Sequence, residues 1–530
     1  MIGTLAASIS RRRLPHWRAP GLRLATLGII ALFIAPAAAV IGGAIWGESA
    51  GQTLSQAALL VYLSQTFMYV GGSVLLACVM ALPAAWLTVM INFPCQRILV
   101  WALFMPLALP PYVTGYAYAH FFDDVMGFSI RGLTGACAVT AMAIYPYIYL
   151  FARAALKQQS RNIQSAARLM GHSAWSTCYR VSWPLARPAV AVGVSLALME
   201  TLNDIAIAEH YGVRAIGLAV YDIWLNRGDL YAACRLAVVL MLLVAGLLML
   251  EEQGRKKQRQ YASLCDRRFA CEQTVKLRGW RGILCALVLF LPAAGGFVLP
   301  LGWFAALTLR TEPELWRVSF VDGLGGSLLL ASITAAGLMV AATMFALDKR
   351  QNGRGPWLAG VAKFSQMGYA LPGTVLAQGF FILSLVVSSW AGYSLLTAGL
   401  TLVVTACMTR FFIIAAGALE TGMAHISPQL DAAARLSGIG TGRIFWRIHL
   451  PLLRPSAAIA LLLIFLEGVK ELPMTLILRP FDFHTLATVI FQYASDEALE
   501  LAAPAVLAMA AICGVAVCLL FRLEGRDWHG

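Results

Sequence analysis

Long apolar runs recur along the whole chain and restrict what it can fold into. Stretches of 18 or more predominantly apolar residues follow one another from residue 23 to residue 521. Each is long enough to cross a hydrocarbon core of roughly 30 Å as an α-helix. The 530 residues are 60% hydrophobic and only 12% charged, whereas an ordinary soluble chain carries about 25% charged residues. The sequence therefore predicts a polytopic helical membrane protein.

Hydropathy places twelve spans on the sequence. Their predicted limits are 23–46, 66–90, 98–121, 133–152, 189–207, 232–250, 282–308, 324–347, 360–386, 392–417, 456–478 and 502–521. The spans at 98–121 and 360–386 contain proline and glycine, so they are expected to be the least regular. The basic and then apolar start of the chain is similar to a secretory leader. Its removal would leave an odd number of spans, so we expect it to remain as the first one.

The basic balance of the chain is distributed as in a membrane protein, not as in a nucleic-acid-binding one. The sequence has 40 Lys and Arg against 26 Asp and Glu, a formal net charge of +14. With the N-terminus inside, most basic residues fall in the inner segments and half of the acidic residues fall in the outer loops. This is the positive-inside pattern. We therefore expect both termini inside, extensive contact with the lipid bilayer, and no nucleic-acid partner.

A repeated segment divides the chain into two halves. Residues 165–188 read SAARLMGHSAWSTCYRVSWPLARP, and residues 432–455 read AAARLSGIGTGRIFWRIHLPLLRP. The offset is 267 residues throughout, without a gap, and ten of the 24 positions are identical. A second motif, ALPPYV at 108–113, recurs as ALPGTV at 370–375. Two six-span units in the same orientation are predicted, related by a pseudo-two-fold axis along the membrane normal.

These features predict an all-α fold of two homologous six-helix halves with twelve transmembrane helices. The expected division is an inner N-terminal segment 1–22, a first half 23–250 with an inner loop at 153–188, a linker 251–281, a second half 282–521 with an inner loop at 418–455, and an inner tail 522–530. The linker carries nine Lys and Arg and four acidic residues. The two inner loops contain the repeated segment and are called the repeat loops.

Each repeat loop has the pattern of two short helices joined by a turn. The residue pairs that carry it are Ala166 and Ala433, Ala167 and Ala434, Gly171 and Gly438, and Pro184 and Pro451. The alanines favour helix, the glycines suit the turn, and the prolines suit a break before the following span. A loop that only fixes topology by its charge explains the arginines but not ten identities.

The pattern resembles the signature loop of permease subunits of ATP-binding-cassette importers: Glu-Ala-Ala, three residues, Gly, nine residues, Ile-x-Leu-Pro. Its glutamate is replaced by Ser165 and Ala432, and Asp431 precedes the second copy. The resemblance implies the type I importer fold in a bacterial inner membrane, with cytoplasmic termini and coupling helices that dock on two copies of a cytoplasmic ATPase. No Gly-Lys dipeptide occurs, hence no P-loop. The chain is expected to be a transport subunit and not an enzyme.

The segment at 470–507 indicates which group of importer permeases the chain resembles most. KELPMTLILRPFDFHTLATVIFQYASDEALELAAPAVL at 470–507 is similar to the fused iron(III) permeases. That similarity implies ferric iron delivered by a periplasmic binding protein, with thiamine, phosphonate, polyamine or an anion as alternative solutes. A secondary transporter would need no ATPase-docking loop. A membrane-embedded enzyme would need a nucleophile or metal motif, and neither HExxH nor GxSxG occurs. No cofactor and no metal site are expected.

Five charged residues interrupt the apolar spans that follow the repeat loops. They are Glu200, Asp204, Glu467, Lys470 and Glu471. Such residues are costly in a membrane unless paired or solvated, so we expect them to face the cavity between the halves. The three- and four-residue spacings place the second set on one helical face, and a proline at 473 should break or bend the helix beyond it.

The 267-residue offset aligns Glu467 with Glu200, Glu471 with Asp204, and Lys470 with an asparagine at 203. Two interpretations remain open. In one, the lysine neutralises its carboxylate neighbours in a structural salt bridge. In the other, these residues line or gate the path, and their carboxylates attract a cation.

Overall fold

The computed structural model describes residues 20–48, 55–157, 176, 178–258, 275–277, 279–353, 360–362, 366–391 and 399–526. Within these ranges the regular structure is helical except for one pair of two-residue strands.

Nine α-helices are described in the first half. They are α1 (Pro20–Trp46), α2 (Gln56–Met90), α3 (Gln96–Ala102), α4 (Pro111–Phe121), α5 (Leu133–Lys157), α6 (Trp183–Asn203), α7 (Ile205–His210), α8 (Ile216–Tyr221) and α9 (Leu230–Gln258). A 3₁₀ turn covers Met105–Ala108, and π-helical turns cover Phe122–Met126, Cys178–Ser182 and Asp222–Asn226.

Eleven α-helices are described in the second half. They are α10 (Trp280–Ala293), α11 (Leu299–Arg310), α12 (Pro313–Asn352), α13 (Gly373–Ala391), α14 (Leu400–His425), α15 (Pro428–Leu436), α16 (Thr441–Ile444), α17 (Leu450–Lys470), α18 (Pro473–Leu478), α19 (Leu486–Ser495) and α20 (Leu499–Arg526). A 3₁₀ turn covers Gln366–Ala370, and π-helical turns cover Ala294–Val298 and Phe445–His449.

The number of spans agrees with the sequence if one bent pair counts as a single span. In the described part, eleven helical stretches are long and apolar enough to cross a membrane. The pair Gln96–Ala108 and Pro111–Met126, bent by 92°, would be the twelfth. It occupies the predicted irregular span 98–121. Pro110 is extended, with ψ 150°, before the proline that opens α4, because a residue followed by proline is disfavoured in the helical region.

Several helices are longer than hydropathy predicts. The α2 helix begins ten residues before the predicted start at 66, and the Ser55 side chain caps it by accepting from Ala58 N at 3.2 Å. The α12 helix has 40 residues, roughly 60 Å of helix, against a predicted span of 324–347. Hydropathy finds the apolar centre of a span, whereas capping residues outside that centre set its ends.

The first helix of each half packs against the other half. In α13, a Cβ on Gly379 would lie 2.3 Å from Pro36 O of α1, so only glycine allows this approach. In the π turn after α10, a Cβ on Gly296 would lie 2.4 Å from Met142 O of α5. In the first turn of α1, Arg23 forms an ion pair of 3.1 Å with buried Asp348 of α12. The two halves are therefore crossed over one another.

The strand pair was not predicted. Strand β1 (Ile91–Asn92) pairs in parallel with β2 (Val275–Lys276), and Leu277 N donates to Asn92 O at 2.9 Å. It joins the end of the linker to the end of α2. The segment lies between two helices and has no alternation of apolar and polar residues long enough to indicate a strand.

Candidate functional site

A small polar cavity lies where the ends of α6 and α17 meet residues of α14 and the turn before α4. Its volume is about 40 Å³, room for a few water molecules. All five charged residues singled out from the sequence line it, together with Asn203 and Arg410; the five are Glu200, Asp204, Glu467, Lys470 and Glu471. Residues about 270 positions apart in sequence thus meet at one place between the halves.

Lys470 forms an ion pair with Glu467. The Lys470 Nζ to Glu467 Oε1 distance is 3.0 Å, and the two side chains are 7% and 16% exposed. The ammonium also donates to Leu107 O of the first half, at 3.4 Å. The salt bridge therefore exists, and the lysine reaches beyond it to the opposite half.

Asp204 and Glu471 cap the short helices that follow the two spans. Asp204 Oδ1 accepts from Ala206 N at 3.0 Å and from Ile207 N at 3.1 Å, at the start of α7. Glu471 carboxylate oxygens accept from Met474 N and Thr475 N at 3.0 Å each, at the start of α18. The expected break before Pro473 is present, since α17 ends at 470 and α18 begins at 473. Capping satisfies the free N–H groups that such a break creates.

Arg410 is a cavity residue that the sequence reasoning missed. It lies within α14 and is 5% exposed. Its Nη1 donates to Asn203 Oδ1 at 2.6 Å, and its guanidinium lies 5.7 Å from the ring centroid of Tyr369. The signal was available, because a lone arginine in an apolar span is as unusual as the charges that drew attention to α17.

Several polar atoms of the cavity have no hydrogen-bond partner among the residues that the structure describes. They are Glu200 Oε2, Asp204 Oδ2 and Arg410 Nε. With every side chain ionised, the four carboxylates and two cations give the lining a formal charge of −2. No group of three or more His, Cys, Asp or Glu in the described ranges is arranged to hold a metal ion. The arrangement offers polar contacts without a fixed coordination cage.

The second repeat loop folds as two short helices joined by a glycine turn. Ser427 caps α15 by accepting from Gln429 N at 3.3 Å. Gly438 has φ 76°, Gly438 N donates to Arg435 O at 2.9 Å, and Ile439 N donates to Ala434 O at 3.0 Å. This pair of bonds is a Schellman motif, in which glycine supplies the left-handed residue. Ala433 and Ala434 lie in the last turns of α15.

Pro184 and Pro451 do not break the chain before the following spans. Each lies in the first turn of its spanning helix, α6 or α17, directly after a π-helical turn. A proline in the first turn needs no N–H donor, so the helix continues through the wider turn. The two π turns and the two spanning helices keep the 267-residue offset. In the first repeat loop, Ala166, Ala167 and Gly171 lie outside the described residues.

Asp431 ties the second repeat loop to two spanning helices. Its Oδ2 accepts from Arg350 Nε of α12 at 2.7 Å, and its Oδ1 lies 2.8 Å from His449 Nε2 at the start of α17. Burial raises the pKa of the Asp431 carboxyl, but the hydrogen bonds from these two partners outweigh it and hold the pKa below its usual value. Arg350 also donates to Met423 O, at 2.8 Å, which joins the end of α14 to the same cluster.

The loop also presents apolar side chains to its surroundings. Leu430 is 44% exposed, Leu436 is 91% exposed and Trp446 is 67% exposed. Leu430 and Leu436 lie on the short helix α15, and Trp446 lies in the π turn near the start of the apolar stretch Thr441–Lys470. Large apolar side chains exposed on a short loop helix indicate an interaction surface.

The fold is that of a solute permease of the binding-protein-dependent importers. The sequence profile of the family described as "Binding-protein-dependent transport system inner membrane component" matches residues 73–250 and 333–526. The two matches cover more than half of the chain, and the chain belongs to this family. It is therefore a multi-pass importer permease with two halves, and the resemblance found in its repeat loops is confirmed.

Three curated relatives resemble this chain over different shares of its length. An Fe(3+)-transport system permease protein of Haemophilus influenzae is 22% identical over 426 residues, 79% of this chain and 81% of the relative. A ferric transport system permease protein of Actinobacillus pleuropneumoniae is 20% identical over 429 residues, 74% of this chain and 61% of the relative. A molybdenum transport system permease protein of Escherichia coli is 28% identical over 198 residues, 34% of this chain and 85% of the relative.

Proposed function

We propose that this permease works with a separate cytoplasmic ATPase, in two copies, one docked on each repeat loop, and with a periplasmic binding protein at the opposite face. The chain would then lie in a bacterial inner membrane with both termini cytoplasmic, as the positive-inside pattern favours. The observation that carries the ATPase contact is the exposed apolar surface of the second repeat loop, where Leu436 is 91% exposed. Large apolar anchors of this kind dominate the energy of protein interfaces.

The second repeat loop is mechanically joined to the polar cavity. Asp431 connects α15 to α12 and to the start of α17. From there α17 runs without interruption for 21 residues to Lys470, a rise of roughly 30 Å. A displacement of the loop by the ATPase would therefore be transmitted along one helix to the cavity, which supports alternating access between the two halves.

Glu200, Asp204, Glu467, Lys470 and Glu471 are the residues we assign to the path or its gate. Their cavity has a formal charge of −2, in which four carboxylates outnumber two cations. Carboxylate oxygens are the donors that hard cations prefer. Conduction also requires that binding stay weak enough for release, and the absence of a metal cage among the described residues is consistent with this.

The solute favoured by these observations is ferric iron. The iron-transport relatives align with 79% and 74% of the chain and so reach both halves, whereas the molybdenum-transport relative aligns with 34% of it. A tetrahedral oxyanion is the second candidate, because Arg410 and Lys470 are cations at the same cavity. The formal charge of the lining opposes an anion.

Uptake of ferric iron into proteoliposomes is the experiment that tests this assignment. The permease, its ATPase and its binding protein should accumulate radiolabelled ferric iron when ATP is supplied, and excess molybdate or sulfate should leave that uptake unchanged. Uptake of labelled molybdate in place of iron would contradict the assignment of the solute. Uptake that persists without the ATPase would contradict the importer mechanism itself.

Gly438 tests the coupling role of the loop. Its φ of 76° disfavours any residue with a side chain, although nothing lies within 4 Å of an added Cβ. Gly438→Ala should destabilise the ordered turn by about 1 kcal/mol. This corresponds to about a fivefold lower population of loops that can dock on the ATPase, so the rate of uptake should fall by a similar factor. Gly438→Val should abolish uptake while the chain still inserts. We expect the same substitutions at Gly171 to act in the same direction.

Gly442→Ala in α16 is the matched control, because its backbone has an ordinary φ and an added Cβ also meets open space. Asparagine at 438 should be tolerated better than alanine, since it adopts the left-handed conformation more readily. Wild-type uptake and ATPase co-purification in Gly438→Val would refute the docking role.

A further inference from the structure

Two contacts cross between the halves at equivalent positions of the repeat, with opposite polarity. Asn203, at the end of α6, accepts from Gly373 N of the second half at 2.7 Å. Lys470, its counterpart at the end of α17, donates to Leu107 O of the first half at 3.4 Å. Gly373 lies within the motif ALPGTV, and Leu107 directly precedes ALPPYV. Each half thus places the same repeat position against the other half, either within this motif or at the residue directly before it.

The residue that differs between the two motifs explains why one half uses a lysine at this repeat position and the other half an asparagine. Gly373 corresponds to Pro111 in the first motif. Proline has no backbone N–H, so an acceptor such as asparagine would find no donor at that position. In the first half the available backbone group is an acceptor, Leu107 O, and the side chain that faces it is the ammonium of Lys470, a donor. In the second half the available backbone group is a donor, Gly373 N, and the side-chain atom that faces it is the amide oxygen of Asn203, an acceptor.

The contact at Gly373 also involves Arg410. Arg410 Nη1 donates to Asn203 Oδ1 at 2.6 Å. A Cβ added to Gly373 would lie 2.9 Å from that same Nη1, 3.1 Å from Asn203 Oδ1 and 3.1 Å from Pro473 Cβ. The absence of a side chain at 373 is therefore what allows the guanidinium and the amide to meet the backbone there.

These contacts lie at the end of the spanning helices remote from the repeat loops. Asn203 and Lys470 are the last residues of α6 and α17, each 21 residues long, roughly 30 Å of helix. The cavity beside them has a volume of about 40 Å³. Lys470 and Glu471 beside it are 8% and 5% exposed, so the contacts lie in a buried part of the molecule between the halves.

We propose that these contacts are latches that hold the two halves together at the remote end of the path, and that the latch of Asn203, Gly373 and Arg410 opens in each transport cycle. The proposal rests on the alternating-access function proposed above. A contact made in only one of two states biases the equilibrium toward that state. Loss of one charge-assisted hydrogen bond should shift the balance between closed and open latch by about tenfold.

Two substitutions at Asn203 have opposite expected effects. Asn203→Ala removes the acceptor, so the assembled complex in proteoliposomes should hydrolyse ATP without binding protein up to about tenfold faster than wild type. Asn203→Asp keeps an acceptor for Gly373 N and attracts Arg410 more strongly, so its hydrolysis and its uptake should both fall. If the contacts were a static brace, Asn203→Ala would lower the yield of folded complex, and hydrolysis per complex would stay at the wild-type rate in both variants.

Gly373→Ala supplies an independent variant, because its Cβ displaces the latch atoms without removing any of them. It should raise basal hydrolysis in the same way as Asn203→Ala. Gly417→Ala in α14 is the matched control, since nothing lies within 4 Å of an added Cβ there. Basal hydrolysis within about twofold of wild type in both Asn203→Ala and Gly373→Ala complexes would overturn the proposal.

A cysteine pair tests the motion directly. A disulfide between Asn203→Cys and Gly373→Cys should arrest uptake, and reduction should restore it to the level of the two single variants. Full uptake by the cross-linked complex would overturn the latch. Failure of the proposed function would look different, because the wild-type complex with its binding protein would then show no ATP-driven uptake of any tested solute.

Discussion

Replacement of Leu436 by glutamate should abolish binding of the ATPase while the chain remains inserted and folded. Leu436 is the last residue of α15 and is 91% exposed, so the substitution costs the isolated permease almost nothing. At an interface, loss of a central apolar anchor costs about 2 kcal/mol or more, and a charge buried in its place adds a desolvation penalty. Co-purification of the tagged permease with the ATPase measures the effect.

Leu309→Glu is the matched control. Leu309 is 89% exposed and lies near the end of α11 that is remote from the repeat loops. The same charge placed there should leave ATPase binding at the wild-type level. A Leu436→Glu permease that retains its ATPase would exclude α15 as the docking element.

Lys470→Met should destabilise the protein by about 3 kcal/mol, because it leaves Glu467 buried without its cationic partner. The pair is short, at 3.0 Å, and its side chains are 7% and 16% exposed. Thermal unfolding of the purified protein in detergent measures the loss. Because both side chains are largely buried, the effect should exceed that of any surface ion pair.

The double variant Glu467→Gln, Lys470→Met separates the two interpretations of this pair. With both charges removed, most of the stability should return, because the penalty of an unpaired buried charge disappears. If the residues gate the path, the double variant should be stable but defective in uptake. A stable double variant with full uptake would reduce the pair to a structural salt bridge.

Much of the architecture follows from the sequence because it depends on local patterns. The apolar spans locate the membrane helices, and the ungapped offset aligns Glu200 with Glu467 before any coordinates are known. The left-handed turn at Gly438 was predictable for the same reason, since only glycine adopts it readily. The break at Pro473 is likewise a local property of proline.

The remaining features depend on contacts between residues far apart in sequence. Nothing near Arg410 indicates that it meets Asn203, which lies 207 residues earlier. The packing of α1 on the second half is likewise set by a close approach at Gly379, and any glycine in an apolar span would look the same. The helix α6 ends at Asn203 although no proline follows it closely, and Asp204 caps the next helix, α7. The alignment of Asp204 with Glu471 did not reveal this capping role.

The crossing of the first helices has a consequence for synthesis. Arg23 of α1 pairs with Asp348, which is translated 325 residues later. At about 5–20 residues per second, roughly 16 to 65 seconds separate the two during translation. Throughout that interval the surface of α1 that will meet α12 and α13 must be covered by lipid or by the insertion machinery. The first half therefore enters the membrane before its contacts with the second half can form. The packing of both halves is completed only after the second half has been synthesised.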